Sequence, residues 1–299
     1  MAGPILVSGA SGQLGQRVLH HLLHTYSVPG GDIIAATRTP DALRALVDLG
    51  VTVRRADFDD VASLDTAFAG AERLLLISTD RIDRPGDRLL QHQTAVAIAE
   101  QCSVRYLVYT SMPDPTNSPL LFAPDHEGTE AAIAASAVPT WTILRNNPFF
   151  ETVYCSGQSA ISTGRWPSAA GNGRIAYIAR DDVARAAAHA LVNPSKAKVT
   201  LTLTGSESYS YREVADILSR TIGTPISVQD VSIEGLINGL VASGQSATLA
   251  HIRASIETAV GVGGLSRITD DFRRLTGSDP QRLESWVRQS IDHLALRAA

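Results

Sequence analysis

The sequence is poor in cysteine, lysine and aromatic residues, and each scarcity closes off a class of function. Its two cysteines, Cys102 and Cys155, stand far apart and form no C-x-x-C pair. Neither a disulfide framework nor a zinc ribbon is expected, and both are read as buried thiols. Lysine occurs only at Lys196 and Lys198, in NPSKAKVT, so any chemistry that needs a lysine elsewhere is excluded. With a net charge of −4 the chain lacks the dense basic patch that phosphate-backbone binding requires, and nucleic acid is not an expected partner. No apolar run approaches the ~20 residues that cross a bilayer. The opening Met1-Ala2-Gly3-Pro4 carries no basic export signal, so no membrane partner and a cytoplasmic address are expected. Metal and hydrolase motifs are missing as well. His126-Glu127 is followed by Glu130 rather than a second histidine, His20 and His24 have no recognisable third ligand, and the spacing of Gly9-Ala-Ser-Gly12 does not make a nucleophile elbow.

What is present is alternation. The 299 residues, 44% of them hydrophobic, suffice for a large core. Short β-branched runs at Ile5–Ser8, Ile33–Thr37, Val51–Ala56, Arg73–Ser78, Arg105–Thr110 and Thr140–Arg145 read as strands. Helical patterns at Leu14–Leu23, Pro40–Leu49, Val61–Phe68, Asp87–Gln101 and Asp125–Ala137 fall between them, with Asp41, Asp60 and Asp125 near their starts. Repeated βαβ units predict an α/β fold, a doubly wound parallel sheet. After Pro148 the alternation stops, and Ser156–Gly173 reads as a loop or lid. A helix at Asp181–Val192, a strand at Lys198–Thr204 and mostly helical patterns from Tyr211 to Ala298 follow. The expected organisation is a first domain over 1–150, with a contribution from about 175–204. Residues 151–174 and 205–299 would form a smaller, mostly helical substrate-binding region.

The stretch Gly9-Ala-Ser11-Gly12-Gln13-Leu14-Gly15 follows the first strand and opens a helix, which is the context a phosphate-binding turn demands. Gly9 lets the chain leave the strand, Gly12 lets the backbone approach a pyrophosphate, and Gly15 permits close helix–sheet packing. The phosphates would sit at the helix N-terminus, where unpaired N–H groups and the helix dipole favour an anion. At the end of the second strand, Ala35-Ala36-Thr37-Arg38 has no carboxylate to hold a ribose 2′-hydroxyl and has an arginine that would accommodate a 2′-phosphate. NADPH is therefore favoured over NADH. Asp57 reads either as a contact to the adenine edge or as a turn and cap residue. Ser78 and Thr79 end the fourth strand where the ribose and diphosphate would pass.

GASGQLG, ATRTP, RRADFDD, LLLIST and VYTS, in that order, resemble the NmrA-like branch of the atypical short-chain dehydrogenase/reductases. HEGTEAAIAASAVPTWTILRNNPFFE and GNGRIAYIARDDVARAAA sharpen the likeness toward the quinone oxidoreductases and triphenylmethane reductases of that branch, over almost the whole chain. The resemblance implies a Rossmann domain, a C-terminal substrate domain and NADPH as hydride donor, with neither metal nor flavin. It also implies that Arg145 and Asn146 lie beside the cofactor. A small, flat, quinone-like acceptor is the expected partner, and the oligomeric state stays open, a homodimer included.

Ordinary short-chain dehydrogenases use a serine near the end of the fifth strand and a Tyr-x-x-x-Lys pair on the next helix. Ser111 matches the serine, whereas the pair is His126-Glu-Gly-Thr-Glu130. Reducing a ketone develops an alkoxide whose conjugate acid is about as weak as water, pKa ~15.7, and needs a strong proton donor. Reducing a quinone leaves a phenolate-like anion whose conjugate acid resembles tyrosine, pKa ~10, so water suffices. Holding an electron-poor ring against the nicotinamide then works by orientation, which supplies ~7–11 kcal/mol. The missing pair thus disfavours alcohol dehydrogenation. It leaves as alternatives a non-catalytic NADP(H)-binding redox sensor and reduction of another C=C or C=N bond.

The catalytic candidates are His126 and Asn146. His126 would donate a proton, orient substrate, or merely pack at a helix start. Asn146 would contact nicotinamide or substrate, or form an Asx turn. Asn147, Phe149 and Phe150 follow the sixth strand as substrate candidates, the phenylalanines stacking on a flat ring or filling core. Arg174, after the Gly-rich loop, is a candidate for a phosphate or anionic substrate.

Overall fold

A computed structural model describes residues 3–296, and its description of side chains leaves out 154–159 and 291–296. The chain begins with β1 (Ile5–Val7), α1 (Gln13–His20), a π-helical turn at His21–Thr25 and β2 (Ile33–Thr37). A 3-10 turn at Pro40–Leu43 leads into the short α2 (Arg44–Val47), β3 (Thr52–Arg55), α3 (Val61–Phe68) and β4 (Arg73–Leu76). Next come α4 (Asp87–Gln101), β5 (Tyr106–Ser111), α5 (Ala123–Ala135) and β6 (Thr140–Asn146). These bounds follow the expected alternation, and Asp60 caps α3 by accepting the Ser63 N–H at 3.2 Å.

One sheet takes the order β3-β2-β1-β4-β5-β6, with a seventh strand, β9 (Val199–Leu203), at its far edge. All pairings from β3 to β6 are parallel, with Val7 beside both Ala35 and Leu75. β1, β2, β4 and β5 are buried along their whole length. That is why they read as unbroken apolar runs: a parallel sheet covered on both faces has no polar side. Leu6, Ile34, Leu74, Leu107 and Tyr109 join Phe68 of α3 and Ile133 of α5 in one core. The chain winds outward from β1 to β3, then restarts at β4 on the other side of β1. The carboxyl ends of β1 and β4 therefore flank a topological switch point, where open α/β sheets bind ligands.

Beyond β6 lie α6 (Thr152–Thr163), β7 (Arg165–Ser168), β8 (Arg174–Ile175), α7 (Arg180–Val192), β9 (Val199–Leu203) and β10 (Tyr209–Ser210). α8 (Tyr211–Ile222), β11 (Ser227–Asp230), α9 (Ile233–Ala242), α10 (Ala247–Gly261), α11 (Asp271–Thr276) and α12 (Leu283–Leu296) complete the chain. The expectation of a loop over Ser156–Gly173 is corrected. Much of it is α6, ended by Gly164 at φ +69°, and β7, whose parallel partner β11 lies far along the chain. The mostly helical stretch after Tyr211 also contains β11, while α8 opens on a capping box formed by Ser210 and Glu213.

Residue contacts divide the chain into two units. One comprises the chain up to Met112 with Pro124–Arg145 and Asp181–Leu201; the other comprises Pro113–Ala123, Asn146–Arg180 and the chain from Thr202. In the first, the Arg73 guanidinium at the start of β4 donates to the carbonyls of Leu191, at 2.7 Å, and Gly3. The turn that follows Leu191 carries Lys196 and Lys198, both exposed. Cys102 is half-buried rather than buried, its thiol pushed up by burial and by Asp65. The Cys155 side chain lies outside the described residues. Among the described residues no helix is long and apolar enough to cross a membrane.

Candidate functional site

A cleft of about 430 Å³ opens where the carboxyl ends of β1, β2, β3 and β4 converge. Eight of the expected residues line it: Gly9, Ser11, Gly12 and Gln13 on one side, then Arg38, Asp57, Ser78 and Thr79. Gly9 turns the chain off β1 at φ +60°, a conformation only glycine adopts freely, and accepts the Gly12 N–H at 2.9 Å. No side chain caps α1 at Gly12, so the helix's first N–H groups remain for an anion. The Ser11 hydroxyl meets that of Thr37 at 2.6 Å, tying the glycine loop to the end of β2.

Gly15 does not line the cleft. A Cβ there would run into the Gly9 carbonyl oxygen and lie 2.8 Å from Ala10 Cα, so its absence lets α1 pack on the turn. Leu14 is half-buried in the same first turn of α1 and does not line the cleft either. Arg38 is exposed, and none of the described residues forms a hydrogen bond or ion pair with its guanidinium. Asp57 lines the cleft, where the expected contact to the adenine edge would fall, and accepts the Asp59 N–H at 3.1 Å as a turn residue. These features fit a dinucleotide with a 2′-phosphate: a close-approach turn, an open helix N-terminus and a cation that, among the described residues, makes no hydrogen bond or ion pair and is felt by Asp59 only through its charge.

The cleft also has walls that no motif announced. Phe58, Ile77, Arg81 and Gln91 line it. Arg81 pairs with Asp59 at 2.6 Å, and Gln91 bridges the Thr79 hydroxyl at 2.8 Å and Asp59 Oδ1 at 2.6 Å. Phe58 and Arg81 follow strand ends, which is a positional signal; Gln91 lies inside α4 and offered none.

Ser111 and Arg145 turn inward to one carboxylate. Ser111 donates to Glu130 Oε1 at 2.6 Å, and Arg145 reaches Glu130 with Nε at 3.0 Å and Nη2 at 2.6 Å. The side chains of Glu130 and Arg145 are 12% and 27% exposed, so this is a mostly buried pair. Neither Ser111 nor Arg145 lines the cleft.

His126 lies in α5, 4% exposed, with Nδ1 2.8 Å from the hydroxyl of the fully buried Tyr109. Tyr109 also lies 3.3 Å from His92 Nδ1, which meets the Thr129 hydroxyl at 2.9 Å. Burial, then the charge of Arg88, pushes His92 down to about 3. Burial lowers His126 well below the usual histidine value, with Arg88 and His92 adding to the effect. Burial holds the Tyr109 phenol up. Of the roles expected for His126, its burial and its contact with the Tyr109 hydroxyl favour packing at the helix start over proton donation.

The remaining candidates belong to the second unit. Asn146 ends β6 with its Oδ1 buried and without a hydrogen-bond partner among the described residues. Asn147, expected at substrate, is a strut instead. It is 2% exposed and its Nδ2 donates to the carbonyls of Ala176 at 2.9 Å and Leu265 at 3.0 Å. Phe150 is core, 1% exposed between Tyr177 and Trp286. Phe149 is only half-buried, with the Arg180 guanidinium 5.3 Å from its ring centre. Arg174 is committed to Glu213 at 2.9 Å and to the Ser208 carbonyl at 2.6 Å, which corrects its assignment to a phosphate. Among the described residues no group of three histidine, cysteine, aspartate or glutamate side chains is placed to hold a metal.

The model of the NmrA-like family matches residues 1–286. Quinone oxidoreductase 2 of Escherichia coli strain K12 is 32% identical over 290 residues, covering 97% of this chain and 98% of that protein. The crystal structure of the Escherichia coli NADPH-dependent quinone oxidoreductase complexed with NADPH superposes with a TM-score of 0.89 at 32% identity, covering 97% and 99% of the two chains. The Citrobacter sp. triphenylmethane reductase complexed with NADP(H) superposes with a TM-score of 0.88 at 34% identity, covering 96% and 99%.

Proposed function

The chain belongs to the NmrA-like family, and on that premise we propose that it is an NADPH-dependent reductase that delivers hydride to a quinone or a similar flat, electron-poor acceptor. The observation that carries the cofactor half is the cleft itself, with the Gly9–Gly12 turn at one wall and the exposed Arg38 at another. Bound there, NADPH supplies the hydride. The chain supplies position: α1 N–H groups for the pyrophosphate, Arg38 for the 2′-phosphate and Asp57 for the adenine edge.

A buried amide oxygen without a partner costs ~1–3 kcal/mol, and a carboxamide N–H would relieve that cost. This supports Asn146 Oδ1 as the nicotinamide contact. The half-buried ring of Phe149 is the aromatic surface we assign to the acceptor. The acceptor half rests on the chemistry of the replaced pair. With Glu130 committed to Ser111 and Arg145, and His126 buried against Tyr109, neither residue of the replaced pair is placed as a strong acid for an alkoxide. An acceptor whose reduced anion has pKa ~10 takes its proton from water. His126 enters the proposal as a group that holds Tyr109, not as an acid.

The test is anaerobic oxidation of NADPH by the purified protein with benzoquinones, naphthoquinones and cationic triarylmethane dyes as acceptors. Turnover with a quinone and none with simple ketones is expected. Tight NADPH binding without turnover on any acceptor would replace this reading with that of a redox sensor.

A further inference from the structure

The wall of the cleft formed by Ile77–Thr79 leaves the sheet in an uncommon way. The β4 ladder ends at Leu76, paired with Tyr109, and the next three N–H groups are each received by a side chain. Ile77 donates to the Ser8 hydroxyl at 3.0 Å, Ser78 to the Thr110 hydroxyl at 2.8 Å, and Thr79 to His92 Nε2 at 3.0 Å. The acceptors come from three directions: the end of β1, β5 and α4. All three are buried, His92 and Ser8 at 0% exposure and Thr110 at 3%, so bulk water does not substitute for them. An N–H left without a partner in such a place costs ~1–3 kcal/mol, which fixes the path of the segment.

His92 holds more than one contact. Because its Nε2 accepts from Thr79, its proton resides on Nδ1 and is donated to Thr129, whose own hydroxyl donates to the Asp125 carbonyl at 2.6 Å. Its neighbour Gln91 joins Thr79 to Asp59, beside the Asp57-Phe58 wall. Gln91 thus spans two cleft walls, and His92 beside it holds one of them.

We propose that His92, which lines no part of the cleft, is a positioning residue for the dinucleotide: by receiving the Thr79 N–H it fixes the wall against which the cofactor lies. The proposal rests on the NADPH reading above. Its consequence is a division of kinetic effects. Loss of the acceptor loosens cofactor binding, while bound cofactor reacts normally.

The experiment compares His92→Leu, His92→Asn and His92→Gln in the full chain by fluorescence titration with NADPH and by steady-state turnover with a benzoquinone. Glutamine places an acceptor oxygen near the position of Nε2, leucine has none, and asparagine is too short to reach Thr79. Leucine and asparagine are expected to raise Kd and KM for NADPH about tenfold, the equivalent of one hydrogen bond, with kcat within about twofold. Glutamine is expected to restore Kd to within about threefold. Thr110→Val removes a second acceptor of the same wall without touching the imidazole, and is expected to show the same division should the leucine variant not fold. Nitrogen NMR is expected to report His92 as the Nδ1–H tautomer. Unchanged Kd in His92→Leu or Thr110→Val, equal losses in the leucine and glutamine variants, an effect on kcat alone, or an Nε2–H tautomer would each overturn the proposal. Failure of the wild-type protein to bind NADPH would instead overturn the cofactor reading.

Discussion

Arg145 on β6 grips Glu130 on α5 with two nitrogens, and Ser111 adds a third bond to the same carboxylate. Glu130 stands where ordinary short-chain dehydrogenases carry a lysine, so at this position the cation has moved to the neighbouring strand and is neutralised. Removing one partner strands the other. Glu130→Ala or Arg145→Ala is expected to cost about 2–4 kcal/mol, somewhat less than a fully buried pair because Arg145 is 27% exposed. Glu130→Lys sets ammonium against guanidinium and is expected to destabilise without conferring ketone reduction. Urea unfolding and an assay on simple ketones check both.

Arg38→Ala is expected to weaken NADPH binding about tenfold to a hundredfold while changing NADH binding little, since only the former carries the phosphate a guanidinium would engage. The difference is expected to shrink as salt rises, because Arg38 is exposed. Calorimetric titration with both dinucleotides at two ionic strengths measures it. Equal losses for the two cofactors would remove Arg38 from the 2′-phosphate.

The glycines of the first turn are expected to separate on substitution. Gly15→Ala forces a methyl group against backbone of Gly9 and Ala10, neither of which is a flexible side chain, and is expected to destabilise the protein by about 2 kcal/mol or more. At Gly12, which lines the cleft, a Cβ would sit 3.1 Å from the Gly9 oxygen. Gly12→Ala is therefore expected to lower NADPH affinity with a smaller loss of stability. Thermal melts with and without NADPH distinguish the two.

Acid is expected to destabilise the fold through His92. Its folded value of about 3 lies below the unfolded value near 6.5, so the unfolded chain takes up a proton that the folded chain refuses. The stability this linkage carries is fully present above pH ~6.5 and falls as pH drops from there toward about 3, by about 2 kcal/mol at pH 5. His126 acts in the same direction. His92→Gln, which cannot take the proton, is expected to flatten the decline, as read by urea unfolding at pH 7 and pH 5.

The sheet was legible because a covered parallel strand has no polar face to interrupt its apolar run, as Leu74–Leu76 illustrates. The glycine turn was legible because its spacing has a backbone cause. β7 and β11 were not, since each has four residues and meaning only beside a partner far away in sequence. The site divided along the same line. Arg38 follows from its place at a strand end, whereas the burial of His126 depends on Tyr109 and His92 arriving from other elements. Asn147 and Arg174 were misassigned because sequence reports a side chain's chemistry and not its prior commitments. Here those are three carbonyls and a carboxylate.

The confinement of lysine to one exposed turn has a practical side. That turn follows Leu191, whose carbonyl is held by Arg73 at the amino end of β4, whereas every strand lining the cleft contributes from its carboxyl end. The two side-chain amines and the cleft therefore belong to opposite rims of the sheet. Amine-reactive coupling to an electrode or bead would tether this protein by its back, leaving the dinucleotide entrance turned toward the solution.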